Sequence, residues 1–251
     1  MLPFTRTDIM QEKEIFLSLD ILAEMGASEK LLEFFKKKYP NDSAPISEVL
    51  SDLQKVVSTT TEYIVYSDYI GYAGWLILHF PPTQEALVLN ELTEKVIIHN
   101  GNIDIKSGIY GERFIIGNGD VNIKGGVYVA SYAYILANGN INAIKITADH
   151  HAKISAKGNI DVKNITAYGE AAISAAETID AKNVKAYDHS GILANKTIDA
   201  KNVKAYGDTR ISAETIDAKN VKAYDQSGIL AVTIDAKISV NGQARIHGEV
   251  I

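Results

Sequence analysis

The chain of 251 residues contains no cysteine, which excludes a disulfide framework, a thiolate zinc site and a cysteine nucleophile. A P-loop, a Rossmann glycine fingerprint, a G-x-S-x-G elbow and an H-E-x-x-H motif are also absent. The net charge of −6 argues against a surface that binds phosphates nonspecifically, so we do not expect a nucleic-acid partner. These absences favour a protein that is not an enzyme and carries no cofactor.

Long hydrophobic runs are missing as well. The first residues, MLPFTRTDIMQEKE, lack the basic start and the apolar run of a signal peptide. The longest apolar run, around residues 70–80, is too short and too interrupted to span a bilayer. We therefore expect no membrane contact and a cytoplasmic location, which would be the host cytoplasm for an effector or a phage protein.

What the chain does contain is a repeat. The segment TIDAKNVKAY occurs three times, at 178–187, 197–206 and 215–224. Aligned on the Ile of TID, the series recurs in steps of 18 to 20 residues at these positions: Ile103, Val121, Ile141, Ile160, Ile179, Ile198, Ile216 and Ile234. A period near 19 predicts a solenoid over residues 85–251, with about eight coils.

Each coil contains three short segments in which an apolar residue is followed two places later by a small one, usually alanine. In the copy at 178–196 these segments are Ile179–Ala181, Val184–Ala186 and Ile192–Ala194. Alternation with period two places both residues on the same side of a strand. We therefore predict a parallel β-helix with three short strands per coil. A recurring asparagine should turn the corner between the first two strands and form amide ladders, at Asn164, Asn183, Asn202 and Asn220.

The N-terminal part shows helical spacing instead of repeats. One helix is predicted over residues 8–25, with Thr7 as its N-cap and Gly26 as its stop. A second helix should follow Ser28 as its N-cap, and a third should span residues 47–56. These short amphipathic segments predict a small helical domain.

A last helix is predicted over residues 68–79, and its apolar residues should face a core: Ile70, Trp75, Leu76 and Leu78. Together with the repeats, this gives the expected fold class. It is an α+β chain in two parts, in which a helical domain, residues 1–84, caps a C-terminal parallel β-helix, residues 85–251, with about 18–20 residues per coil.

Two parts of the chain resemble known groups of proteins. The coils GNIDIKSGIYGE and GDVNIKGG, together with the coil length, resemble those of the bactofilins, which are polymer-forming β-helical proteins. This resemblance implies self-assembly. The segments GASEKLLEFFKKKYP and GWLI resemble a small helical module of uncharacterised bacterial and phage proteins, with Ser28 in place of the module's usual Cys. The second resemblance implies no reaction and favours a mobile-element or host-interaction protein.

Side chains between the inward positions should form outward columns along the rod. An acidic column runs from Asp161 to Asp235, and lysine columns flank it. Charge balance and stacking at corners would explain such columns, and binding of a protein partner is the functional interpretation. The candidate partner-binding residues are Tyr168, Tyr187, Tyr206, Tyr224, Asp180, Asp199 and Asp217.

Another column alternates imidazole and carboxylate groups on neighbouring coils, at His151, Glu170, His189 and Asp208. These groups could bind zinc or another divalent ion, or could equally form surface pairs. Metal binding here is the basis for a metal-dependent enzyme as one hypothesis.

The last coil, TIDAKISVNGQARIHGEVI, ends without a helix that would cover it. Uncovered strand edges pair readily, so we expect self-association, as a homodimer, through Ile238, Val240, Ile246 and Val250.

The leading functional hypothesis is a non-enzymatic protein-interaction protein of bacterial or phage origin. It would act as an inhibitor, anti-defence, immunity or effector protein and would use the lateral face of the solenoid. The first alternative is a self-assembling, bactofilin-like scaffold, and the second is the metal-dependent enzyme.

Overall fold

The computed structural model describes residues 15–59 and 63–251, and in the fourth helix the side chains from Asp68 onward. Four helices are followed by a parallel β-solenoid of about nine turns with about 19 residues per coil, which confirms the predicted fold class. An antiparallel strand pair holds the starts of the first and third helices together. These elements are β1 (Phe16–Ser18), α1 (Leu19–Glu24), α2 (Glu29–Lys38), β2 (Ser43–Pro45), α3 (Ile46–Thr59) and α4 (Tyr63–His79).

Serine caps fix the first two helix starts. Ser18 Oγ accepts a hydrogen bond from Ile21 N at 3.2 Å, and Ser28 Oγ accepts one from Leu31 N at 3.3 Å. The cap predicted at Ser28 is confirmed. The cap predicted at Thr7, with residues 8–14, lies outside the described residues, and the predicted helix is wrong for residues 16–18, which form β1. Gly26 follows α1 with a φ of +80°, as its predicted role as a stop requires.

The helices α3 and α4 extend beyond their predicted spans, and the inward face of α4 differs from the prediction. Its fully buried positions are Ala73, Leu76 and Ile77. The inward position predicted for Leu78 is wrong, because Leu78 is 44% exposed at the edge of that face. Ile70 and Trp75 are partly buried and pack at the margin of the core.

The solenoid strands pair in parallel, each with its counterparts in the neighbouring coils. They are β3 (Leu87–Leu89), β4 (Val96–His99), β5 (Ile103–Ile105), β6 (Ile109–Gly111), β7 (Phe114–Gly117), β8 (Val121–Ile123), β9 (Gly126–Val129), β10 (Tyr134–Ala137), β11 (Ile141–Ala148), β12 (Lys153–Ala156), β13 (Ile160–Ala167), β14 (Ala172–Ala175), β15 (Thr178–Ala186), β16 (Gly191–Ala194), β17 (Thr197–Ala205), β18 (Arg210–Ser212), β19 (Thr215–Ala223), β20 (Gly228–Val240) and β21 (Arg245–Val250).

We name the three sides of the rod by their residues in one coil. The first face runs from Thr178 to Ala181, the second from Asn183 to Tyr187, and the third from Gly191 to Ala194. From β11 onward the first two faces share one strand, and the pairing between coils skips Lys163 and Lys182 at the corner. The predicted inward residues are confirmed, since none is more than 2% exposed: Ile179, Ala181, Val184, Ala186, Ile192 and Ala194.

The first coil of the solenoid precedes the aligned positions but lies within the range predicted for the solenoid, residues 85–251. Leu87 in β3 pairs with Ile103 in β5, ahead of the first aligned position. This step is shorter than the 18 to 20 residues of the repeats, and the coil lacks their sequence, so the alignment missed it.

The predicted asparagine ladder is confirmed. Asn183 Nδ2 donates to Asn164 Oδ1 at 2.7 Å, and Asn202 Nδ2 donates to Asn183 Oδ1 at 2.8 Å. These asparagines do not use a left-handed backbone, because the strand continues through their corner. Left-handed φ angles occur instead at the turn between the second and third faces, at His150, Gly169, Asp188, Gly207 and Asp225.

The helices pack on the third face of the first three coils. There, outward side chains that would otherwise meet solvent share a core with Leu53, Leu76 and Ile77. These outward side chains are Val96, Ile98, Phe114, Ile116, Tyr134 and Leu136. Gln54 Oε1 also accepts a hydrogen bond from Ile98 N at 2.8 Å, so α3 covers part of the exposed edge of β4. The first and second faces stay outside this interface.

Candidate interaction surface

Four tyrosines form one continuous stack at the end of the second face. The ring centroids are 4.9 Å apart between Tyr168 and Tyr187, 4.8 Å between Tyr187 and Tyr206, and 4.6 Å between Tyr206 and Tyr224. The planes of the last two pairs differ by only 2°. The predicted aromatic column therefore exists as one row of stacked, partly exposed rings.

Backbone hydrogen bonds position this row. Tyr187 N donates to Ala167 O at 3.0 Å, and Ser190 Oγ accepts a second hydrogen bond from the same N–H at 3.1 Å. Ser190 Oγ in turn donates to Ala167 O at 3.1 Å, and Ser227 repeats the arrangement with Tyr224. Buried serines at the turn thus hold the backbone of Tyr187 and Tyr224, so ordering the backbone of these two tyrosines would cost little on binding.

The tyrosine rings are partly shielded by one another. Burial raises the pKa of Tyr187, and the neighbouring Tyr168 raises it further. For Tyr206, burial and both adjacent tyrosines raise the pKa. Tyr187 and Tyr206 therefore stay uncharged at neutral pH, and their hydroxyl groups can act as donors and acceptors.

A lysine column runs beside the tyrosines on the same face. Lys185, Lys204 and Lys222 each lie two residues before a tyrosine, point outward and are half-buried. We call these three lysines and the four stacked tyrosines the tyrosine–lysine strip. It combines cationic groups and aromatic edges on a surface whose backbone is fully paired.

The first face carries the acidic column, which we call the acidic row. It comprises Asp161, Asp180, Asp199, Asp217 and Asp235, which pair coil by coil and are exposed. Burial and the carboxylates of Asp161 and Asp199 raise the pKa of Asp180. In the part of the chain that the structure describes, no ion pair joins the row to a lysine. The flanking lysine columns therefore lie nearby without forming direct contacts.

In the imidazole–carboxylate column, each histidine contacts one carboxylate on the next coil, and the two pairs do not join into a larger cluster. His151 Nδ1 lies 3.1 Å from Glu170 Oε2, and His189 Nδ1 lies 3.7 Å from Asp208 Oδ2. His151 also stacks on Tyr132, with ring centroids 5.0 Å apart. No group of three or more possible metal ligands occurs among the described residues. Each pair supplies two ligands, and metal binding at this column stays a prediction.

The residues predicted to self-associate lie in the last coil. Ile246 occupies the inward position of Ile229 in the preceding coil, yet it is only partly buried while Ile229 is completely buried. Val240 and Val250 are exposed, and Ile238 packs partly against the core. Association through these residues also stays a prediction.

Two features of the helical part were missed from the sequence. A cavity of about 350 Å³ lies between the turn after α1 and α4, with these lining residues: Gly26, Ser28, Leu31, Asp68, Gly71, Tyr72 and Trp75. Asp52 is buried and accepts hydrogen bonds from Tyr39 Oη and Lys55 Nζ, both at 3.1 Å. Spacing within a single helix carries no signal for either feature, because both depend on how helices pack together.

Within residues 15–59 and 63–251, the helices are too short or too polar to cross a bilayer. In the comparisons with known proteins, no family model matches this chain, and no curated protein or solved structure matches it.

Proposed function

We propose that this protein is a non-enzymatic binding protein that presents the tyrosine–lysine strip to a protein partner. The observation that carries this proposal is the stack Tyr168–Tyr187–Tyr206–Tyr224, whose rings hold a spacing of 4.6–4.9 Å on a paired β-surface. Tyrosine supplies a large contact area at a low entropy cost, and hot spots at interfaces are enriched in it. The adjacent lysines favour a partner with acidic side chains.

A protein of this kind fits the roles of inhibitor, anti-defence, immunity or effector protein of a bacterium or phage. The second candidate is the self-assembling, bactofilin-like scaffold, and the exposed Val240 and Val250 of the last coil support it. The metal-dependent enzyme has less support, because each imidazole–carboxylate contact supplies only two ligands.

The test compares the wild type with a Y187S/Y206S variant and a T178A/T197A control on the first face. The proteins are used to capture partners from cells that naturally produce the chain, and any captured partner is purified and titrated. We expect the partner to bind the wild type and the control alike, and to bind the tyrosine variant at least about tenfold more weakly. A partner that binds all three proteins equally well would contradict the proposal.

A further inference from the structure

The acidic row lies in a column of outward positions that also exists in the early coils. There, neighbouring side chains form hydrogen bonds with one another instead of repelling one another. In the early coils the same column holds Asp104, Asn122 and Asn142. There, Asn122 Nδ2 donates to Asp104 Oδ1 at 2.8 Å and Asn142 Nδ2 donates to Asn122 Oδ1 at 2.7 Å. From Asp161 onward every position is an aspartate, and carboxylates cannot donate to one another when ionised. The later coils therefore carry charge that the fold does not need.

The acidic row and the lysines of the strip share one spacing. Asp180, Asp199 and Asp217 lie in the same coils as Lys185, Lys204 and Lys222, and both columns follow the strand pairing coil by coil. Neighbouring strands are about 4.8 Å apart, so the two columns match in period along their whole length. Opposite charges that match in this way give an interface its register and its specificity.

Both faces are also accessible. As far as the described residues show, the helices cover the third face alone, where Phe114 and Ile116 are buried. On the second face Tyr110 and Tyr128 are 65% and 46% exposed, although they lie in the coils that carry the helices. The first and second faces of the repeated coils are therefore open to a second copy of the chain.

We propose that the partner of the tyrosine–lysine strip is the acidic row of a second copy of this chain. The inference rests on the proposed function, because it assigns a partner to the same surface. The contact joins two different faces, so a pair of rods keeps a free acidic row on one rod and a free strip on the other, and the assembly can grow side by side. The raised pKa of Asp180 fits this arrangement, since a facing lysine would relieve the repulsion within the row.

The salt dependence of association distinguishes this contact from the general repulsion between two negatively charged copies. At about 0.1 M salt the screening length is about 10 Å, which weakens the repulsion between net charges of −6 but not contacts between facing side chains. At about 1 M salt the screening length is about 3 Å and the contacts weaken as well. The wild-type mass, measured by sedimentation velocity over a range of concentrations, should rise at the lower salt and return to one chain at the higher salt.

Charge reversal gives the decisive comparison. The variants D180K/D199K/D217K and K185E/K204E/K222E should each keep the mass of one chain, and an equal mixture of the two should associate at least as strongly as the wild type. Because the mixture restores association, loss in the single variants cannot be due to misfolding. The control E24K/E29K/E33K makes the same change of net charge as D180K/D199K/D217K, but on the exposed surface of α1 and α2, and should associate like the wild type.

Three results would overturn the inference: a wild type that keeps the mass of one chain at both salt concentrations, reversed variants that associate as the wild type does, or a mixture that stays at one chain. None of them would decide the proposed function, which depends on the capture experiment with Y187S/Y206S. Suppose that Y187S/Y206S no longer captures a partner and that the wild type is a monomer. The strip would then still be a binding surface, but its partner would not be a second copy of this chain.

Discussion

The early coils and the repeated coils have the same interior but different outward columns. On the third face, Ile116 in β7 and Leu193 in β16 lie in one column and are separated by four strand pairings. Ile116 is completely buried under the helices, whereas Leu193 is 44% exposed. The alternating inward residues thus determine that a coil forms, and the outward residues determine what packs against that coil. The helical part binds where outward residues are apolar, and the charged columns begin where it ends.

The largest effect should come from breaking the interface of the early coils. Ile116→Ala should lower the free energy of unfolding by about 2–5 kcal/mol, because it leaves a cavity between the third face and the helices. The matched change Leu193→Ala, in the same column, should stay within about 0.5 kcal/mol because its side chain meets solvent. Denaturant unfolding measures both. Equal losses would show that the helices do not depend on this face.

The sequence analysis did not predict this interface, and the reason is physical. The alternation of Ile179 and Ala181 marks one inward side, and the structure confirms the inward positions of the repeats. Residues 114–116 read FII and residues 134–136 read YIL, so both sides of these strands are apolar. Such a run indicates a strand covered on both sides. It does not reveal that the cover is the chain's own helices, since this depends on contacts between distant residues.

Other parts of the site follow from the period alone. The tyrosine stack and the asparagine ladder could be predicted, because residues one coil apart must lie side by side. The pairing of His151 with Glu170, instead of a larger cluster, could not be predicted, since side-chain rotamers decide it. The start of α1 was missed because the cap at Ser18 and the pairing of β1 with β2 outweigh helical spacing in residues 16–18.

A buried acid in the helical part contrasts with the exposed acidic row. Burial works to raise the pKa of Asp52, but hydrogen bonds from Lys55, Tyr39 and Lys38 outweigh it and lower the pKa. Asp52→Asn should therefore cost about 1–3 kcal/mol at neutral pH. A lowered pKa gives stability that is present above the pKa of the unfolded chain and is lost as pH falls through the folded value.

Denaturant unfolding of the wild type and Asp52→Asn, measured as a function of pH, checks this prediction. The difference between their free energies of unfolding should become smaller in acid. The control is Asp68→Asn, since Asp68 Oδ2 lies 2.9 Å from Lys30 Nζ on the surface and the pair should contribute less than about 1 kcal/mol. If the difference in free energy of unfolding between the wild type and Asp52→Asn does not change with pH, the lowered pKa of Asp52 is not the source of this stability.

Amide ladders occur in both regions, and the loss expected from breaking one is at most that expected for Asp52→Asn. In the early coils Asn118 is 2% exposed, and its Nδ2 donates to Phe80 O at 2.7 Å and to Asn100 Oδ1 at 2.8 Å. Asn118→Ala leaves a buried carbonyl without a donor and should cost about 1–3 kcal/mol. Asn183→Ala removes a partly exposed ladder position, where water can replace the amide, and should cost about 0.5–1 kcal/mol. Thermal unfolding that ranks the two variants in the opposite order would refute this difference.

The smallest effect tests whether the acidic row opposes folding. The raised pKa of Asp180 means that the folded chain binds this proton more tightly than the unfolded chain does. The favourable contribution is complete below the unfolded pKa of about 4 and is lost as pH rises through the folded value. Asp180→Asn removes the repulsion, and its amide can donate to a neighbouring carboxylate as Asn122 donates to Asp104.

At pH 7, Asp180→Asn should therefore raise the free energy of unfolding by about 0.2–1 kcal/mol, and the gain should shrink toward pH 3. Asp235→Asn is the control, because Asp235 has a carboxylate neighbour on only one side of the described row and should gain less. Denaturant unfolding at both pH values measures the two variants. A loss of stability in Asp180→Asn at pH 7 would mean that the carboxylate makes a favourable contact, and the acidic row would then need no partner to explain it.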